Sequence, residues 1–207
     1  MEVEVRVGCY GWQWSQWERS FYPEDLPEDW QLDFYANYFR TVLVPHSQWL
    51  SADEEEIEGW LDSVQLDEDD FEDEEAYDAQ PPFLFYLSIE HPLNAKVTER
   101  LQQVCAVLGD YCGGTIDSEK LVSKGAGLYQ QSLGQDVMWL GIYPVSITDP
   151  KAQGQWAKEF SAQVLQQVSQ TRVPEMPVFV GNEGGHFDRP QTVEQAQSLK
   201  LLLEMLA

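Results

Sequence analysis

Basic residues are scarce in this 207-residue chain: twelve Lys and Arg stand against thirty-six Asp and Glu, a formal net charge of −24. So anionic a surface repels phosphate backbones and anionic headgroups, which argues against nucleic-acid and membrane partners. Long apolar runs are missing as well, and none reaches the roughly 18–20 residues that a membrane-spanning helix needs. Cysteine is confined to Cys9, Cys105 and Cys112, an odd number without metal-knuckle spacing. The chain opens directly on the alternating EVEVRV, with neither a basic nor an apolar leader segment. Together these features predict reduced thiols in a cytoplasmic protein, although Cys105 and Cys112 are near enough in sequence to approach each other. No G-x-G-x-x-G follows a strand pattern and no Walker loop is present, which removes two nucleotide-binding signatures. Only three histidines occur, and no H-x-H or H-E-x-x-H spacing joins them.

What is present is enough for a packed core: 43% of residues are hydrophobic and 13% aromatic. A chain of this length favours one domain, 1–207. The charge is uneven, because residues 53–78 hold fifteen acids and no base, leaving −9 for everything else. The stretch LDEDDFEDEEAYDAQPP has no periodicity, so an acidic loop insertion is predicted at about 66–80. It reads either as a solvated loop or as a docking segment for a basic partner.

Alternation predicts a first strand over residues 2–9, ending in Gly8-Cys9-Tyr10-Gly11. Residues 30–39 predict a helix capped by Asp29, with Trp30, Phe34 and Tyr38 on one face. A short strand follows over 41–45. Ser51 and Glu54 form a capping-box pattern before a helix striped by Ile57, Trp60, Leu61 and Val64. Residues 83–90, FLFYLSIE, predict a strand buried on both faces. A helix over 98–108, a short strand over 114–116 and a helix over 118–133 come next, then a strand over 137–143. Asp149-Pro150 is a cap followed by proline at the first helical position, for a helix with Trp156, Phe160, Val164 and Val168. The last strand spans 177–181. Thr192 and Gln195 form a second capping box for a helix burying Ala196, Leu199, Leu202, Leu203 and Leu206.

Strands alternating with helices imply a mainly parallel sheet with right-handed crossovers. About six strand–helix units are present, fewer than the eight of a complete (β/α)₈ barrel. The predicted fold is α/β, a reduced or partly open TIM-like barrel; a doubly wound open sheet is the alternative.

The segment GCYGWQWSQWERSFYPEDLPEDWQLDFYANYF carries a resemblance through Gly8, Gly11, Trp12, Trp17, Phe21, Tyr22, Pro23, Leu26 and Tyr35. It is similar to the amino-terminal signature of the YecE-like family, number 72 among the domains of unknown function. Residues 83–92 and VFVGNEGG with the following helix also resemble that family. The resemblance implies a TIM-like barrel without an established activity. It also implies departures: where members usually place a Glu and an Asn at the end of the second strand, this chain has Leu43 and Pro45. Where they usually offer a Lys on the third strand, it has Ser88, while Asn182 matches the Asn of the final strand. Loss of that polar pair points to a diverged, non-catalytic member that binds a small molecule or a protein partner.

Three constellations bear on function, each beside a plainer explanation. His46, His91 and His186 each follow a predicted strand and would share the carboxyl-end rim with Cys9, Glu90, Asn182, Glu183 and Asp188. Imidazoles with Glu90 or Glu183 make a competent zinc or iron set for a metal-dependent hydrolase, although loops collect polar residues by chance. Trp12, Trp14, Trp17, Phe21, Tyr22 and Trp30 offer a stacking platform for a sugar or base, or a hydrophobic plug over a long first loop. Cys9 is a nucleophile or a buried structural thiol, the second being favoured by the negative field. Asn182-Glu183-Gly184-Gly185 lies where barrels often hold anions, but only Arg189 is close in sequence. The ligand residues expected are therefore Cys9, Trp12, Tyr22, Glu90, Asn182 and Glu183; no cofactor is specified.

Overall fold

The computed structural model describes residues 4–65, 81–117, 127–133, 136–144, 149–168, 175–181 and 187–205. Strand β1 (Glu4–Tyr10) leads through two short 3₁₀ turns to helix α1 (Gln31–Ala36) and strand β2 (Thr41–Val44). Helices α2 (His46–Ser51) and α3 (Glu54–Val64) precede β3 (Leu84–Ile89), and α4 (Ala95–Leu108) precedes β4 (Cys112–Asp117). Strands β5 (Gly127–Leu133) and β6 (Asp136–Pro144) are followed by α5 (Pro150–Val168), β7 (Glu175–Gly181) and α6 (Pro190–Glu204).

All seven strands join one sheet in the order β4-β3-β2-β1-β7-β6-β5. Six of them run parallel, and β5 pairs antiparallel with β6 at one edge. The sheet is a parallel half-barrel, and its edge strands β4 and β5 come within 8 Å between Cα atoms without a hydrogen-bonded ladder between them. This is the partly open TIM-like barrel that the strand–helix alternation implied.

Side-chain alternation divides the core in two. Val7, Cys9, Val42, Val44, Phe85, Leu87, Val178 and Val180 face the helices in one buried cluster. Tyr86, Leu43, Leu84, Ile116, Leu140, Ile142 and Phe179 fill the concave side in another, with Phe187 and part of Tyr10. β1 can approach β2 closely only because residue 8 is glycine, since a Cβ there would lie 2.4 Å from the Thr41 carbonyl oxygen. Between β3 and β4 the register slips at Phe85/Tyr86, and the extra residue, Gly113, lies under the Tyr86 ring. A bulge at this edge bends the sheet toward closure.

Local chemistry departs from the sequence reading at several places. Residues 127–133 form β5 rather than the end of a helix, pairing residue by residue with β6; the rest of that predicted helix lies outside the described residues. Asp53, not Ser51, caps α3, its carboxylate accepting from the Glu56 amide at 2.9 Å. α6 starts at Pro190, so Thr192 and Gln195 lie buried inside its first turns and form no capping box. α1 is shorter than predicted and uncapped by Asp29; its buried residues include Leu32, Tyr35 and Ala36, while Trp30 and Tyr38 are exposed. Other readings match: Asp149 accepts from the Ala152 amide at 2.8 Å, and α3 buries Ile57, Trp60 and Val64. The insertion at about 66–80 lies outside the described residues.

Candidate functional site

The carboxyl ends of β1, β2 and β3 meet at one end of the half-barrel, where α/β barrels build their sites. Tyr10 is the last residue of β1 and shares the inward phase of Gly8, so its ring enters the concave side. The chain then turns at Gly11, whose φ of 71° favours a residue without Cβ. The Gly11 amide donates to Leu43 O at 2.8 Å, tying this turn to β2. Trp14 Nε1 returns to donate to Tyr10 O at 2.8 Å, and Phe187 packs against the Tyr10 ring at 4.5 Å between centroids. Tyr10 is thus held at its carbonyl by Trp14 and at its ring by Phe187.

Ser88, on β3, is fully buried beside it. Its hydroxyl Oγ makes no hydrogen bond of normal length, although it lies near enough to act on the Tyr10 phenol. Burial raises the Tyr10 pKa above its ordinary value, and Glu90 adds to the rise, while Ser88 and the His46 backbone oppose it. The phenol is therefore protonated at neutral pH and can both donate and accept. His46 begins α2 directly after β2; its ring meets Trp49 edge-on at 4.8 Å, and its Nδ1 is buried without a hydrogen-bond partner. Trp49 Nε1 in turn donates to Ser88 O at 2.7 Å, so α2 is pinned to β3 beneath the pair. Two polar atoms without partners, Ser88 Oγ and His46 Nδ1, thus belong to elements meeting around one protonated phenol.

The rim outside this centre carries charge. Glu90 is exposed, and His91 Nε2 stands 3.9 Å from an Asp117 carboxylate oxygen at the end of β4. Among the described residues no three His, Cys, Asp or Glu side chains converge as a metal set. His186, Asn182 and Glu183 lie outside the described residues.

The remaining expected residues occupy the other side of the sheet. Cys9 faces the helices and is fully buried, its thiol pushed far above the ordinary range by burial. Its backbone amide donates to the Tyr35 hydroxyl at 2.9 Å. Trp12 is buried edge-on against Trp60 at 5.3 Å. Tyr22 is buried too, and its hydroxyl donates to Trp12 O at 2.6 Å. A ligand could touch Cys9, Trp12 or Tyr22 only by opening the helix-side core. Tyr10, Asp117 and Phe187 were not singled out from the sequence as site residues, whereas Trp14 was named there only as part of the aromatic stacking platform. Alternation puts Tyr10 and Cys9 on opposite faces of the strand, but which of the two points inward is decided only by the sheet. Phe187 had no signal, since only the tertiary fold carries it onto Tyr10.

Residues 6–72 match the model of a family described as a protein of unknown function, DUF72. The matched stretch runs from within β1 past the end of α3 and includes the aromatic signature from Gly8 to Tyr35; the resemblances over 83–92 and after residue 177 lie outside it. No curated protein and no solved structure matches the chain.

Proposed function

We propose that this DUF72-family chain binds a small, neutral, hydroxylated molecule at the mouth around Tyr10, His46 and Ser88, without catalysing a reaction on it. The observation that carries this reading is the pair of buried polar atoms lacking partners, Ser88 Oγ and His46 Nδ1. Leaving such an atom unsatisfied costs about 1–3 kcal/mol, which a ligand hydroxyl would recover. Reaching it requires the Tyr10 and Phe187 rings to move aside. Neutrality follows from the groups themselves: a hydroxyl, a protonated phenol and one imidazole nitrogen, in a chain whose charge repels anions. Absence of catalysis follows from the places where the family resemblance implies Glu, Asn and Lys. Here they are Leu43, Pro45 and Ser88, none of which titrates near neutral pH. On this reading Glu90, Asn182 and Glu183 belong to the rim, and Cys9, Trp12 and Tyr22 support the site from behind. The chain would be one domain, 1–207, whose acidic insertion at about 66–80 suits a basic protein partner.

The test is ligand-observed NMR with a panel of monosaccharides and polyols against the wild-type protein, Ser88→Ala and Tyr10→Phe. Saturation transfer to at least one compound is expected, with affinity falling about tenfold or more in either variant, the equivalent of one lost hydrogen bond of about 1.4 kcal/mol. No transfer from wild type, or equal transfer from all three proteins, would sink the proposal.

A second reading rests on the His91–Asp117 approach: a metal-dependent hydrolase with His46, His91 and His186 as ligands and Glu90 or Glu183 beside them. Elemental mass spectrometry separates the two. Stoichiometric zinc or iron in the wild type, lost in the triple His46→Ala, His91→Ala, His186→Ala variant, would favour the hydrolase and displace the binding role.

A further inference from the structure

Away from the mouth, the other two cysteines lie where one turn folds a helix back onto the sheet. Cys105 is on the last turn of α4, on the side packed against the helix-facing core together with Leu101 and Val104. The helix ends at Gly109, whose φ of 53° reverses the chain and whose amide donates back to Cys105 O. A single 3₁₀ turn, Gly109–Tyr111, then delivers Cys112 as the first residue of β4. Cys112 pairs with Phe85, which faces the helices, so its side chain also points toward α4. The two thiols consequently meet within hydrogen-bonding contact, and the sulfur of Cys112 also accepts from the Gly114 amide. Both residues are half-buried, unlike Cys9, and β4 is an edge strand of the sheet.

We propose that Cys105 and Cys112 form a redox-active dithiol that exchanges with small-molecule disulfides, Cys112 attacking and Cys105 resolving. The division of labour follows from the hydrogen bonds. Two donors stabilise a thiolate on Cys112 and hold its pKa down to about 7, against burial, which raises it. The same contact, with burial, pushes the Cys105 thiol up, so it keeps its proton until needed. In the first step the Cys112 thiolate attacks one sulfur of RSSR, forming Cys112–S–S–R and releasing RS⁻. Cys105 then passes its proton to a thiolate or solvent and attacks Cys112 Sγ, forming the Cys105–Cys112 disulfide and expelling the second RS⁻. The protein gives up two electrons and RSSR accepts them, so no further oxidant is required. The product bond would fasten the end of α4 to the start of β4, across a turn of six residues.

The experiment is oxidation of the full-length, fully reduced protein with glutathione disulfide, followed by thiol titration and mass mapping of peptides. The wild type is expected to lose two thiols per chain, keep Cys9 reduced, yield an intramolecular Cys105–Cys112 peptide and revert with dithiothreitol. Cys105→Ser should stop at a glutathione adduct on Cys112. Cys112→Ser should react at least about tenfold more slowly, and Cys9→Ala should behave as wild type. A wild type that stops at the mixed disulfide, links chains to one another, or keeps all three thiols would overturn the proposal. Should a serine variant fail to fold, as circular dichroism would reveal, the wild-type peptide map decides alone.

Discussion

Tyr35 joins two strands with one hydroxyl. It donates to Thr41 O at 2.9 Å and accepts from the Cys9 amide at 2.9 Å, within a fully buried region. Phenylalanine keeps the ring contacts with Phe39 and Phe83 but strands both backbone groups. Tyr35→Phe should therefore cost about 1–3 kcal/mol for each orphaned group, read as a lower urea midpoint at unchanged slope. A loss under about 0.5 kcal/mol, the scatter of surface substitutions, would mean that the hydroxyl is dispensable. Tyr35 was legible in the sequence as part of the aromatic signature, but its hydroxyl's partners were not. They belong to β1 and β2, and only the docking of α1 across both strands brings them to the ring.

Helix ends show how far local pattern reaches. Asn94 caps α4, its Oδ1 accepting from the Val97 amide at 3.1 Å, so the helix begins ahead of the start read from the sequence. Asn94→Ala removes that acceptor at an exposed position and should cost about 1 kcal/mol, measured as a fall in melting temperature. Restoration by Asn94→Asp or Asn94→Ser would identify the cap, and failure of both would point to another role. Asp149 and Pro150 were recognised correctly because a cap and a first-turn proline are purely local requirements. The Ser51/Glu54 and Thr192/Gln195 patterns misled because an equally good or better start lay beside each: Asp53 for α3 and Pro190 for α6. β5 was misread because GLYQQSL alternates only weakly and its partner, β6, decides its state. Side-chain pattern alone cannot supply a partner strand.

For the whole molecule, negative charge is in excess, most of it in residues 53–78, and no single contact offsets it. The ion pairs between Arg19 and Glu24 and between Lys200 and Glu204 lie at the surface, where each contributes little. Excess carboxylates should oppose the compact state most strongly at low ionic strength. Raising salt from about 0.01 M, where the Debye length is near 30 Å, to about 1 M, where it is near 3 Å, should raise the melting temperature by a few degrees. Scanning calorimetry across that range checks it; a flat or falling profile would show that the charge is already spread too widely to matter. None of the described helices is long and apolar enough to cross a membrane, in keeping with the missing apolar runs.

Periodicity and composition determined the class of this protein: parallel strands alternating with helices, a large aromatic core and a strongly anionic surface. These are properties of neighbouring residues, and neighbours suffice to fix them. The half-barrel closure, the antiparallel edge strand and the inward phase of Tyr10 depend on which strands pair and in what register. The candidate site depends on them further, because Tyr10, His46, Ser88 and Phe187 come from four separate stretches and meet only at the sheet's carboxyl end. The pairing of Cys105 with Cys112 falls between these cases. Its short spacing was visible in the sequence, but Gly109 reversing the chain and the outward phase of Cys112 are what brought the two sulfurs together.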